Sequence, residues 1–179
     1  MTFLPSLPDN AKLLDVFRVF PDTASPLLDY HEALMRGPSA LSVAERELIA
    51  AYVSGLNACD YCYGVHQVTA EQFGIDEAVL TGLLADLSTA EVDDRIRPLL
   101  DYIGKLTRDP GRVSPADARA VLAAGWDERA LHDAVSVCAL FSFMNRFVNG
   151  LGITADADYS NTSGTRLADH GYAGLKNLL

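Results

Sequence analysis

Apolar positions recur along this chain at the three- and four-residue spacing of helix faces, and the breaks between them carry helix caps rather than hairpin turns. Residues 12–20 (KLLDVFRVF) predict a short helix stopped by Pro21. Residues 26–36 predict a second, begun by Pro26 after Ser25 and ended before Gly37-Pro38. Ser42-Val43-Ala44-Glu45 is a capping box, with each side chain placed to satisfy the other residue's backbone N–H, and the helix it opens runs to about Leu56. A helix over 60–73 stops at Gly74, and Asp76 caps the next through Ala85. Ser88-Thr89-Ala90-Glu91 reads as another capping box, for a long helix ending near Arg108. Ser114 caps residues 115–124, and Asp127 opens a long helix toward Gly150. The tail after Ile153 is polar and weakly patterned, with room for one short helix over 165–179. The expectation is an all-α fold of seven to nine helices.

Composition narrows the classes. The chain has 179 residues, 49% of them apolar, and a formal net charge of −10. No Pro-, Gly- or Ser-rich linker divides it, so one domain over 1–179 is expected, large enough to bury a core without staples. Its basic residues form no run, which argues against nucleic acid or an anionic membrane as partner. Three cysteines are too few and too odd in number for a secreted disulfide scaffold. The first residues, MTFLPSLPDN, have no basic start and no long apolar stretch, so no signal peptide is expected. A cytoplasmic location follows as an expectation.

Candidate chemistry concentrates in residues 41–74. Cys59-Asp60-Tyr61-Cys62 places two thiols three residues apart, a spacing suited to redox exchange or metal binding in a reducing compartment. On a helix, Cys62 and His66 fall at i and i+4, so His66 can take a proton from the Cys62 thiol directly or through water. Cys59 falls at the helix start, where the dipole favours a thiolate, while the charge of Asp60 opposes it. Residues 48–59 carry no charge at all and read as a buried helix. Glu47 sits at the edge of that helix among small apolar neighbours, where desolvation would raise its carboxyl. Glu47, Cys59, Cys62 and His66 together suit a proton relay beside a dithiol. Cys138, in the run AVSVCALFSF, reads as an inert buried thiol. Asn145 and Arg146, on an otherwise apolar helix, read either as groups approaching the site from another element or subunit or, the favoured reading, as an interface pair. Zinc is the competing use of the same residues, with Cys59, Cys62 and His66 as ligands and Glu47 or His31 as a fourth. A redox-sensing interaction module is a further alternative.

The pattern Glu47, Cys59-x-Tyr61-Cys62, then His66, resembles the alkylhydroperoxidase AhpD core of the carboxymuconolactone decarboxylase-like superfamily, in its peroxidase-related branch. Flanking residues agree: Arg36-Gly37-Pro38-Ser39, Leu41-Ser42, Glu45-Arg46-Glu47-Leu48 and Asn57 before the site, then Lys105-Leu106-Thr107, Ala124-Gly125-Trp126 and Phe143-Met144-Asn145-Arg146-Phe147 beyond it. The likeness covers about residues 25–153. It implies an AhpD-like helical bundle in a homo-oligomer (dimer, trimer or hexamer), and a thiol-dependent hydroperoxide reductase without metal or cofactor. In that scheme Cys62 is the peroxidatic thiolate, Cys59 resolves its sulfenic acid to a disulfide, and His66 and Glu47 relay protons. An external thiol reductant then restores the pair. The sequence departs from the founding enzyme at Tyr61, where that enzyme has a second histidine before its second cysteine; tyrosine is too weak a base near pH 7 to replace it fully.

Overall fold

The computed structural model describes residues 2–179; Met1, the first residue of the segment expected not to be a signal peptide, lies outside them. Among the described residues there are nine α-helices and no strand. The predicted class is therefore the observed one.

The helix over Val43–Leu56, α3, is the centre. It runs through the core with Arg46 to Ser54 all buried; from Leu48 onward the stretch carries no charge, and the charged Arg46 and Glu47 are buried with hydrogen-bond partners. Its start is the expected capping box: Ser42 Oγ accepts from the Glu45 N–H at 3.1 Å, and the Glu45 carboxylate accepts from the Ser42 N–H at 2.7 Å. Around α3 pack α2 (Pro21–Arg36), α4 (Asp60–Gln72), α5 (Glu77–Ala85), α6 (Arg97–Arg108) and α8 (Glu128–Gly150). Helix α1 (Leu13–Val19) lies against α2, and α7 (Pro115–Ala123) against α6 and α8. Helix α9 (Ala157–Lys176) covers α4 and α2.

Three elements differ from expectation, each for a local reason. Helix α2 begins at Pro21, not Pro26. Ala24, Leu28, His31 and Met35 form one buried stripe at helical spacing, and burying Ala24 extends the helix a turn ahead of the internal proline. The long helix from Ser88 does not form: residues 86–96 are turns and irregular backbone, and α6 starts at Arg97. Pro98 decides this. A helix begun at Ser88 would put its ring in the interior, where it lacks an N–H and clashes with the preceding turn; a helix begun at Arg97 places it in the first turn. The Arg97 guanidinium donates to the carbonyls of Leu87, Ala90 and Val92, which fixes the intervening turns.

The third difference is the tail. It forms a 20-residue helix from Ala157, capped by Asp156, whose Oδ1 accepts from the Tyr159 N–H at 2.8 Å. Its inner face is built of Ser160, Ser163, Gly164 and Leu167, small residues that allow close approach to α4. A Cβ at position 164 would lie 2.6 Å from that of Val68. At Gly171 the chain kinks with φ 61° and ψ −167°, a glycine conformation, and the Glu32 carboxylate accepts from the N–H groups of Tyr172 and Ala173 to restart the helix.

Candidate active site

Helix α3 ends at Leu56, and a tight turn through Asn57 and Ala58 leads into α4. Ala58 takes a left-handed conformation (φ 51°), a strained one for a residue with a Cβ. That turn sets Cys59 at the N-cap of α4 and Cys62 in its first turn. Both thiols are reduced and buried.

The pair shares its protons unequally. Cys59 is pulled down to about 7, first by the hydrogen bond offered by the Cys62 thiol, against the opposing effects of burial and of Asp60. Cys62 is pushed well above the ordinary thiol value, first by that same bond to Cys59 and then by burial. The two thiols thus titrate as one unit holding a single charge near neutral pH. Asn145 favours charge on either sulfur. Its amide donates to Ser54 Oγ at 3.0 Å and accepts from Asn57 Nδ2 at 2.9 Å, which leaves a second N–H for the thiols.

Glu47 is fully buried. Its Oε2 accepts from His66 Nδ1 at 2.7 Å, and its Oε1 from an Arg36 Nη at 2.6 Å. Burial acts to raise the carboxyl, as expected from the sequence, but His66 and Arg36 outweigh it and the net shift is downward. The expected raised carboxyl is thus corrected: Glu47 is a held carboxylate. Arg36 also donates to the Met35 and Leu167 carbonyls, and its guanidinium lies over the rings of Phe73 and Tyr172. The Tyr172 hydroxyl is near enough to Glu47 for the carboxylate to push it up, added to the larger effect of burial, yet no hydrogen bond of proper geometry joins them.

With its Nδ1 given to Glu47, His66 keeps Nε2 free. His66 and Cys62 line the same cavity, of about 70 Å³, between α1, α2, α4, α8 and α9. No direct hydrogen bond joins the two side chains, though both face the same space. Cys59 does not line the cavity. Its walls are largely aliphatic and aromatic; its polar groups include His31, Ser163 and Arg166. Tyr61 also lines it, but its hydroxyl is paired with that of Tyr159 at 2.8 Å and is raised by burial, so it offers no base.

The structure therefore joins Glu47, His66, Cys59 and Cys62 in one place and adds Arg36 and Asn145 to them. Asn145, for which the sequence favours the interface reading over an approach to the site, is 1% exposed and beside the thiols. Arg146, its sequence neighbour, points outward and donates to its own helix at the Ser142 carbonyl. Arg36 had no signal beyond its place before Gly37-Pro38. Cys138 is buried, raised by that burial, and paired with the Thr107 hydroxyl at 3.3 Å, away from the site. Among the described residues no group of three or more His, Cys, Asp or Glu side chains is arranged to hold a metal ion. None of the described helices is long and apolar enough to cross a membrane.

The Carboxymuconolactone decarboxylase family matches the chain over residues 21–100. No curated protein matches it. Among solved structures, an uncharacterized peroxidase-related protein from Silicibacter sp. TM1040 is similar at a TM-score of 0.76 and 28% identity, over 83% of this chain and 78% of that one. The alkylhydroperoxidase AhpD core of an uncharacterized peroxidase-related protein from Ralstonia eutropha JMP134 is similar at 0.75 and 25% identity, over the same shares.

Proposed function

The chain belongs to the AhpD-like, carboxymuconolactone decarboxylase-like superfamily, and on that premise we propose that it is a cysteine-based hydroperoxidase. The observation that carries the proposal is the asymmetry of the dithiol: a pair that gives up one proton near pH 7, of which only Cys62 faces a cavity. Acidity favours Cys59 and access favours Cys62. The two agree if Cys59 serves as the immediate base. Its thiolate takes the Cys62 proton, and the Cys62 thiolate so formed attacks the terminal oxygen of the peroxide. The S–O bond forms as the O–O bond breaks, sulfur is oxidised by two electrons, and the alkoxide leaves.

The alkoxide is protonated from the adjacent relay. His66 suits this role because Glu47 fixes its ring through Nδ1 and turns Nε2 to the cavity. Cys59, again a thiolate after losing its borrowed proton, then attacks the sulfenic sulfur of Cys62. The disulfide forms, and the hydroxide that leaves becomes water by taking up from solvent the proton that the dithiol released at the outset. In sum, two thiols and one hydroperoxide give one disulfide, one alcohol and one water. An external thiol reductant returns the disulfide to the dithiol, and no metal or cofactor enters the cycle. We place the enzyme in peroxide defence, as a homo-oligomer in the cytoplasm.

A coupled peroxidase assay with several thiol reductants tests the proposal. Wild type should consume hydroperoxide and Cys62→Ser should not. Turnover by Cys62→Ser at the wild-type rate would contradict this division of roles between the cysteines.

A further inference from the structure

His31 lies on the buried stripe of α2 and is 3% exposed. Its Nδ1 lies 2.8 Å from the Leu27 carbonyl. A carbonyl only accepts, so Nδ1 carries the hydrogen. Burial, the largest influence, pushes the imidazole down to about 4; His66 adds to this, while the Leu27 carbonyl and Glu47 pull the other way. Near neutral pH the ring is therefore uncharged and its Nε2 is a bare lone pair. No donor among the described residues reaches that nitrogen. The ring itself is clamped, edge-on to Phe141 and tilted against Tyr172 at 5.0 Å between centroids.

The face so fixed opens on the cavity that Cys62 and His66 line. The nitrogen opens on the cavity, and a ring held this rigidly does not turn to find a partner elsewhere. A molecule that displaces water from the cavity must bring the hydrogen that this nitrogen accepts. An organic hydroperoxide carries one O–H, on the terminal oxygen that a thiolate attacks. At roughly 10–15 Å³ per water-sized group, a cavity of about 70 Å³ takes about five such groups, the bulk of a short branched alkyl hydroperoxide.

We propose that His31 is the peroxide-binding residue of this site: its Nε2 accepts the hydroperoxide O–H and holds the terminal oxygen before Cys62. This rests on the hydroperoxidase reading of the dithiol. His31 exchanges no proton. The O–H hydrogen stays on the terminal oxygen as the S–O bond forms and the alkoxide leaves, so the Cys62 sulfenic acid donates to the same nitrogen. The relay on the other side, through Cys59 and His66, supplies the alkoxide's proton.

Two measurements test this with tert-butyl hydroperoxide and its alcohol. His31→Phe keeps the ring stacking and removes the acceptor. It should lower kcat/KM for the hydroperoxide at least tenfold, while the rate of Cys62 alkylation by iodoacetamide stays within twofold of wild type. Independently, in 15N-histidine-labelled wild type, saturating tert-butanol should shift the His31 Nε2 resonance, because the alcohol's O–H takes the peroxide's place. Wild-type kcat/KM in a folded His31→Phe, or an unmoved His31 Nε2 resonance, overturns the proposal. If wild type turns over no peroxide yet the resonance moves, the hydroperoxidase reading has failed and His31 remains a hydroxyl-binding group.

Discussion

Glu47 shows how a side chain's neighbours reverse the effect of its burial. Alone in the core its carboxyl would rise; between Arg36 and His66 it falls. Stability follows the same sign. A carboxyl lowered by folding stabilises the protein above its ordinary value of 4.5, and that contribution is lost as pH drops through the lower folded value. Glu47→Gln removes this charge and leaves Arg36 buried without its counter-ion, so it should cost about 3–5 kcal/mol of stability in chemical denaturation as well as slowing peroxide consumption. The thiols make a second residue-scale prediction. Thiolate absorbance of the reduced protein should appear with a midpoint near 7 in wild type and move to higher pH in Cys59→Ser. Much of this site was legible in the sequence, because Cys59, Cys62 and His66 share one short helix and their spacing expresses their geometry. Arg36 and Asn145 were not, since they arrive from distant parts of the chain and only packing brings them in. Nor was the sign of the Glu47 shift, which depends on Arg36.

At the scale of elements, caps and prolines carried most of the information. The boxes at Ser42 and Ser114 and the caps at Asp76 and Asp127 open helices where expected. The box at Ser88 misled because Pro98 overrides it ten residues later. Helix α9 was only half visible for a different reason. Its buried face is made of serine and glycine, which give no apolar stripe, and its packing relies on closeness rather than on bulk. Gly164→Ala tests this directly. The added methyl would meet the Val68 side chain at 2.6 Å and the Val65 carbonyl oxygen at 2.8 Å. We expect a loss of about 1–3 kcal/mol, read from thermal or chemical unfolding. A neutral substitution would mean that α9 does not seat on α4 as described.

The molecule as a whole combines an acidic chain with a cavity closed by its two ends, since α1 and α9 both supply walls to the space before Cys62. Residues outside the span of the sequence resemblance thus shape the site. The proposed homo-oligomer predicts a sedimentation mass that is a multiple of the 19.3 kDa chain; a monomer at micromolar concentration would remove that part of the proposal. The division of labour between the two thiols is tested most directly by trapping. Reduced Cys59→Ser, treated with one equivalent of hydroperoxide and dimedone, should carry a single sulfenic-acid adduct on Cys62, and Cys62→Ser should carry none. An adduct on Cys59 in the Cys62→Ser protein, formed as fast as that on Cys62 in Cys59→Ser, would contradict it.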